Sequence, residues 1–164
     1  MNKQQFIMAN TYSQIYIQVV FAVQNRKALI GKSWEEDLYK YISGIVTNKN
    51  QKLLAINGMS DHIHILIGIK PSCNLSNLVR EIKKSSTTFI KEKRFTPFTF
   101  NWQEGYGAFS YSHSQLDKVI QYIENQKVHH RKRTFRDEYL SFLKAFNIAH
   151  DEKYVFDELS DVDN

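Results

Sequence analysis

The stretch "SDHIHILIGI", residues 60–69, alternates two kinds of side chain and so predicts a β-strand with two different faces. Because successive side chains of a strand point to opposite sides, one face carries His62, His64 and Leu66. The other face carries isoleucines at positions 63, 65, 67 and 69, and we expect it to pack against helices. The histidines then lie on the more open face, close enough to bind one cation together. The H-x-H spacing is also frequent by chance, so solvent-facing histidines bonded to neighbours are the alternative.

The segments on either side of this strand predict a small α+β domain. Strands are expected at 11–23, 51–58, 62–69 and 98–112, and helices after Ser33, after Asn74 or Ser76, and from Ser114. The order β-α-β-β-α-β is the ferredoxin-like (RRM-like) arrangement, an antiparallel sheet with two helices on one face, here with an additional C-terminal helix. Many unrelated functions share this fold, so the fold alone does not identify the activity.

The additional helix carries polar residues that could reach the histidine pair. Tyr122 and Gln126 are four positions apart and project from the same side of a helix, with His129 further along that stripe. Apolar residues occupy the neighbouring sector: Leu116, Val119, Ile120 and Ile123. The helix can therefore lie on the open face and direct a phenol and an amide at the histidines. A boundary tyrosine with a solvent-facing glutamine is the alternative.

The composition predicts one intracellular domain. The chain has 164 residues, 42% of them hydrophobic, and its single cysteine, Cys73, cannot form an internal disulfide. No apolar run is long enough to span a bilayer, and the N-terminus lacks the apolar block of a signal peptide, so we expect a cytoplasmic protein with no membrane partner. We expect an N-terminal extension at 1–10, a single domain at 11–150 and an acidic tail at 151–164.

The charge is divided unevenly between the domain and the tail. Residues 151–164 hold six acids and one lysine, a local charge of −5, so residues 1–150 carry +10 within a net charge of +5. A basic domain with an acidic tail favours a polyanionic partner such as nucleic acid. An ordinary basic protein with a polar terminus would have the same balance.

Several motifs, in this order, resemble one known family. "DHIHILI" is followed about sixty residues later by "YIENQ", and between or before them stand "YSQIYIQVVFAVQNRKALI", "LVREIKKSS" and "WQEGYGAFSYS". Together they resemble the HUH-superfamily single-tyrosine transposases of small hairpin-ended bacterial insertion sequences, relatives of the REP-associated tyrosine transposases. In the HUH motif two histidines flank a hydrophobic residue, here His62, Ile63 and His64.

The resemblance implies an activity and a role for each motif residue. Tyr122 would be the nucleophile that forms a 5′-phosphotyrosine with single-stranded DNA at hairpin ends. His62, His64 and Gln126 would bind Mg²⁺ or Mn²⁺, and imidazole ligands suit Mn²⁺ at least as well as Mg²⁺. The resemblance also implies a homodimer, in which Tyr122 can act in trans on the partner's site, and a bacterial, nucleoid-associated location when bound to DNA.

Basic residues on two helices are candidates for phosphate contacts. They are Arg80, Lys83 and Lys84 on the second helix, and Lys127, Arg131 and Arg133 near the tyrosine. A basic helix face is often simply solvated, which is the alternative for each of them. Asp61 could orient a histidine, or serve only as a turn residue.

Three other functions remain open at this point. A non-catalytic single-stranded nucleic-acid-binding protein could descend from such an enzyme, but it would not need a metal pair and a nucleophile together. A metal-dependent nuclease would use the same histidines with water and would need no tyrosine. Replication initiators share the motif but usually belong to longer chains. The presence of His62, His64, Tyr122 and Gln126 together favours the DNA strand transferase.

Overall fold

The computed structural model describes residues 11–129 and 133–150 of the chain. The expected extension at 1–10, the expected acidic tail at 151–164 and Arg131 lie outside these residues. Within the described residues, the α+β class and the ferredoxin-like order of elements are confirmed.

Four strands form one antiparallel sheet in the order β2-β3-β1-β4. The strands are β1 (Tyr16–Ala22), β2 (Lys52–Met59), β3 (His62–Gly68) and β4 (Gly107–Tyr111). The helices are α1 (Glu35–Asn48), α2 (Leu75–Lys93), α3 (Leu116–Glu124), α4 (Gln126–His129) and α5 (Phe135–Ala145). No helix of the described ranges has the length and apolar character needed to cross a membrane.

The strand β3 lies inside the sheet, and its register fixes which residues accompany the histidines. His64 is opposite Val20 on β1 and Asn57 on β2, while His62 is opposite Ala22. Directly opposed residues of antiparallel strands point to the same face of the sheet. The histidine face is therefore shared by these neighbours.

Helices α1 and α2 cover the isoleucine face, as the alternation predicts. Three acidic residues occupy the first turn of α1, where they interact favourably with the helix dipole. The side chain of Asn74 caps α2 by accepting a hydrogen bond from the backbone of Asn77. The main core between sheet and helices includes Val19, Phe21, Leu38, Ile42, Ile63, Ile65, Ile67, Leu78, Val79 and Ile82.

Helices α3 and α5 cover the histidine face, which the sequence predicted to be more open. Val119 and Ile123 of α3 belong to one apolar cluster with Leu66, and Phe135 of α5 belongs to another with Ala22. Both histidines are 0% exposed as a result. The expectation of an open face is wrong because α5, which was not predicted, packs beside α3.

The fourth strand is shorter than the expected segment 98–112, since it begins only at Gly107. Gly105 has a φ of +80°, which directs the backbone out of strand geometry just before β4. The ammonium of Lys83 donates a hydrogen bond of 2.8 Å to the carbonyl of Gln103. The loop before β4 is therefore tied to α2.

The helix that carries the tyrosine also ends earlier than expected. It stops at Glu124, because Asn125 has φ −94° and ψ 17° and separates α3 from the short helix α4. Tyr122 and Gln126 consequently lie on consecutive helices, although they were expected on one.

We predict that a methyl group at Gly58 disrupts the contact between β2 and β3. A Cβ at Gly58 would lie 2.2 Å from the carbonyl oxygen of His62 and 2.9 Å from the Cα of Ile63. Because both atoms are backbone, Gly58→Ala should lower the free energy of unfolding by about 1–3 kcal/mol in urea denaturation.

Gly44→Ala is the matched control for this substitution. Nothing lies within 4 Å of a Cβ added at this exposed position of α1, and alanine is the better helix former. We expect a gain of about 0.5–1 kcal/mol. If Gly58→Ala were as stable as the wild type, the close strand contact would be disproved.

Candidate active site

Two histidine rings stand side by side on β3. Their centroids are 5.2 Å apart and their planes are inclined by 75°. Phe135 of α5 stacks on His62 at 4.1 Å, and His64 lies edge-on to Tyr122 of α3 at 6.1 Å. Both imidazoles are therefore held in the protein interior, where electrostatic interactions are screened less than in water.

A carboxylate from α5 meets both rings. Glu138 Oε1 lies 2.7 Å from His64 Nε2 and 3.7 Å from His62 Nε2, and the whole residue is 1% exposed. One ligand atom from each of the three side chains lies within 4.8 Å of the others. Imidazole nitrogens and a carboxylate oxygen are a frequent donor set for divalent metals. The three side chains therefore form a candidate metal site.

The second oxygen of the same carboxylate contacts the tyrosine. The hydroxyl of Tyr122 donates a hydrogen bond to Glu138 Oε2. Burial raises the pKa of Tyr122 above its usual range, and the hydrogen bond and charge of Glu138 raise it further, while a hydrogen bond from Gln126 and the charge of Arg133 act in the opposite direction. The phenol therefore keeps its proton here, and a nearby cation would favour the phenolate.

The remaining ring nitrogen of each histidine is also in contact with a polar group. Asp61 Oδ1 lies 2.7 Å from His62 Nδ1, and Gln18 Nε2 lies 2.8 Å from His64 Nδ1. A metal-binding histidine commonly donates its second ring N–H to a carboxylate, as His62 can to Asp61, and this fixes the orientation of the ring. Asp61, at the turn before β3, thus contacts a histidine directly.

Gln126, the third ligand implied by the resemblance, begins α4 and is 0% exposed. Its Nε2 lies 3.4 Å from the backbone oxygen of Tyr122. Its Oε1 is buried and has no hydrogen-bond partner within residues 11–129 and 133–150. A buried amide oxygen without a donor costs about 1–3 kcal/mol, and carbonyl oxygens are suitable ligands for Mg²⁺ and Mn²⁺. This oxygen therefore fits the role of a cation ligand.

Polar contacts fasten the junction between α3 and α4 to the edge strand β2. Asn57 Nδ2 donates a hydrogen bond of 2.9 Å to the carbonyl of Glu124, the last residue of α3. Lys127 Nζ lies 3.2 Å from Asn57 Oδ1 and 3.1 Å from Glu35 Oε2. Since these contacts stand on either side of Gln126, they hold its backbone against the β2–β3 hairpin.

The basic residues expected at DNA differ in what they already contact. Arg80 and Lys84 are exposed on α2. Lys83 is partly buried, with its ammonium bonded to the loop before β4, and burial lowers its pKa. Lys127 forms the ion pair just described. Arg133 is exposed, and its Nη2 donates a hydrogen bond of 2.8 Å to a serine hydroxyl of α5. Three of these five residues therefore present exposed charge to a ligand.

Sequence reasoning missed Glu138, although a signal for it exists. In "FRDEYLSFL", Phe135, Glu138 and Phe142 occur at helical spacing, so the carboxylate stands on the apolar stripe of α5. A charged residue in that position must find a partner inside the protein. The partner itself could not be predicted, because it is 74 positions away at His64.

Comparison with known proteins gives one family and two similar folds. The family model of IS200-like transposases matches residues 11–126. The solved structure of a proposed transposase from Deinococcus radiodurans R1 is 21% identical, covers 73% of this chain and 95% of that chain, and has a TM-score of 0.56. A REP-associated tyrosine transposase bound to a REP hairpin is 16% identical, covers 88% and 92%, and has a TM-score of 0.58. The search of curated proteins found no significant match.

We predict that Lys127 contributes to stability. Lys127→Met would leave Glu35, which is 8% exposed, without its ammonium partner. The free energy of unfolding should fall by about 1–3 kcal/mol, nearer the lower limit because the Lys127 side chain is 40% exposed. Urea denaturation measures the change, and adding Glu35→Gln should restore part of it.

Lys84→Met is the matched control, because Lys84 is exposed on α2. Its stability should stay within about 0.5 kcal/mol of the wild type. If Lys84 contacts a phosphate, the binding constant of Lys84→Met for single-stranded DNA should depend less on salt than that of the wild type. The slope of its logarithm against the logarithm of salt concentration should be smaller in magnitude by about 0.7. An unchanged stability of Lys127→Met would refute the proposed fastening of α4.

Proposed function

The chain belongs to the IS200-like transposase family, and from this premise we propose that it cuts and rejoins single-stranded DNA at hairpin ends through Tyr122. The reaction is that of a metal-dependent tyrosine strand transferase, with a 5′-phosphotyrosine intermediate. The family match spans residues 11–126, which include Tyr122 and both histidines of β3. Glu138, on α5, lies beyond the matched residues.

One observation carries the proposal: a nucleophile and a metal-binding pair meet on one carboxylate. Glu138 accepts the hydrogen bond of the Tyr122 hydroxyl through Oε2 and contacts His64 Nε2 through Oε1. A purely binding protein has no physical need to bury these groups together, because each buried polar group costs free energy unless it is paired. The arrangement instead suits a phenol that must attack phosphorus beside a cation.

In the cleavage step the phenol oxygen of Tyr122 forms a bond to phosphorus, and the bond between phosphorus and the 3′ oxygen of the preceding nucleotide breaks. Glu138 Oε2, already bonded to the hydroxyl, takes the phenol proton. The departing 3′ oxygen keeps the electron pair and takes a proton from solvent to become a 3′-OH. The phosphoester energy is retained in the adduct, so a second 3′-OH can reverse the step without ATP.

Mg²⁺ or Mn²⁺ is the proposed cation. His62, His64 and Glu138 would hold it, with the buried Oε1 of Gln126 as a further ligand. When bound, it would polarise the scissile phosphate and offset negative charge in the transition state. Asp61, whose Oδ1 lies 2.7 Å from His62 Nδ1, would hold that ring in the ligating orientation.

The proposed substrate is single-stranded DNA folded into a hairpin. The solved neighbour of similar fold is itself bound to a REP hairpin, and a basic domain suits a polyanion. Exposed cations on α2 and before α5 are proposed to contact phosphates: Arg80, Lys84 and Arg133. Arg131 remains a candidate of the same kind, while Lys83 and Lys127 would have to exchange their internal contacts first.

Tyr122 contacts the carboxylate and histidine ring of its own chain, which supports a site assembled in cis. The homodimer implied by the resemblance stays a prediction.

We predict a covalent protein–DNA adduct. Full-length protein mixed with Mn²⁺ or Mg²⁺ and labelled single strands from the ends flanking its own coding sequence should give a species that survives a denaturing gel. EDTA should abolish it, because the metal site would be empty. Tyr122→Phe should abolish it by removing the nucleophile, and His64→Ala by removing a ligand.

Tyr41→Phe is the matched control, since Tyr41 is a partly exposed residue that stacks on Phe89 on the helix layer of the isoleucine face. It should form the adduct at the wild-type rate. Cleavage that persists in Tyr122→Phe would indicate a hydrolytic nuclease instead. Retarded DNA on a native gel, with neither adduct nor cleavage under any metal, would indicate the non-catalytic binding protein.

A mixing experiment tests the cis arrangement. Tyr122→Phe retains the metal site and His64→Ala retains the nucleophile, so the two variants can complement each other only if a tyrosine acts on another subunit's site. For a cis enzyme the mixture should form no adduct. In an equal mixture about half of the dimers would be hybrids, each with one complete site of two, so recovery of about a quarter of the wild-type adduct would establish trans action.

A further inference from the structure

A buried hydrogen-bond chain extends from the candidate metal site into β1 and β4. Gln18 lies on β1, is 0% exposed and points to the histidine face two positions before Val20. Its Nε2 lies 2.8 Å from His64 Nδ1. Its Oε1 accepts a hydrogen bond of 2.8 Å from the hydroxyl of Tyr111 on β4. Neither Gln18 nor Tyr111 belongs to the nucleophile or to the proposed ligands.

The two groups that face His64, the Glu138 carboxylate at Nε2 and the Gln18 amide nitrogen at Nδ1, favour one position for its ring hydrogen. An amide NH₂ group only donates, so His64 Nδ1 must accept from Gln18. The ring hydrogen is then on Nε2, where it points at Glu138 Oε1 at 2.7 Å. A metal ion binds a nitrogen lone pair, and in this form the lone pair faces Gln18 and not the cluster.

We propose that Gln18 and Tyr111 are positioning residues for His64. Without metal they hold the tautomer with hydrogen on Nε2, and with metal they hold the tautomer with hydrogen on Nδ1. The inference rests on the metal site of the proposed function. With metal on Nε2, the hydrogen moves to Nδ1 and the Gln18 amide turns over, so that its oxygen accepts from Nδ1 and its NH₂ donates to the Tyr111 oxygen.

The side chains of Gln18 and Tyr111 can both reverse their hydrogen bonds in this way. A glutamine amide has an acceptor and a donor of nearly the same shape, so a half-turn exchanges them without repacking. A phenol can either donate or accept, and burial raises the pKa of Tyr111 to about 12, so the hydroxyl keeps its hydrogen. Tyr111 is only partly buried, so after the reversal its hydrogen can be donated to solvent. His62 differs, because its Nδ1 faces the carboxylate of Asp61, which already accepts.

The direct test measures Mn²⁺ affinity of the full chain, following free Mn²⁺ by electron paramagnetic resonance. Gln18→Leu has a similar volume but offers no acceptor, and we expect binding weaker by about 10- to 100-fold. Gln18→Glu offers an acceptor permanently and should bind at least as tightly as the wild type. Tyr111→Phe should bind several-fold more weakly. Gln121→Leu, an exposed glutamine of α3, should match the wild type.

The ring form itself is measured on the unmodified protein. Nitrogen NMR of ¹⁵N-histidine-labelled protein should show His64 with hydrogen on Nε2 in EDTA and on Nδ1 with the diamagnetic ion Mg²⁺. An identical ring form in both conditions would overturn the proposal.

The affinity results separate this inference from the proposed function. If Gln18→Leu binds Mn²⁺ within about 2-fold of the wild type, or if Gln18→Glu binds as weakly as Gln18→Leu, the positioning role is refuted while the metal site stands. If the wild type binds no Mn²⁺, the metal site of the proposed function fails and this inference fails with it. Urea denaturation of each variant in EDTA shows whether a loss of affinity is a loss of folding.

Discussion

Glu138 carries a carboxylate into the protein interior, where it is 1% exposed. Removing such a charge from water costs about several kcal/mol, so it persists only where donors or cations surround it. Two of its contacts are with His64 Nε2 on β3 and the Tyr122 hydroxyl on α3. One side chain of α5 therefore contacts both the sheet and the tyrosine. The two apolar clusters over the histidine face enclose these contacts.

The sheet keeps packing and chemistry on opposite sides. The isoleucines of β3 contribute to the main core with α1 and α2, whereas the histidines face α3 and α5. A shift of one residue in register would exchange these faces, moving apolar side chains into the site and imidazoles into the core. Because β3 pairs with β1 on one side and with β2 on the other, both neighbours oppose such a shift. Packing of the isoleucines thus fixes the register of β3, and the register determines where the histidines lie.

The alternation of residues 60–69 was sufficient to predict the two faces, and the order of elements was sufficient to predict the sheet. The site was predicted only in part. The helix break at Asn125 and the late start of β4, after Gly105, depend on single backbone conformations that side-chain periodicity does not encode. Glu138 and Gln18 were missed because their importance lies in contacts with His64 from distant parts of the chain. The site-residue roles, from Tyr122 as nucleophile to Gln126 as ligand, stay predictions.

The separation between the histidine strand and α5 has a consequence for synthesis of the protein. His64 and Glu138 are 74 positions apart, so a ribosome adding 5–20 residues per second makes the second about 4–15 s after the first. During that interval the histidine strand has left the catalytic centre of the ribosome while the carboxylate and its helix do not yet exist. A nascent chain of this protein therefore carries the two histidines before it carries the carboxylate that links them to the tyrosine, and the candidate site is complete only late in translation.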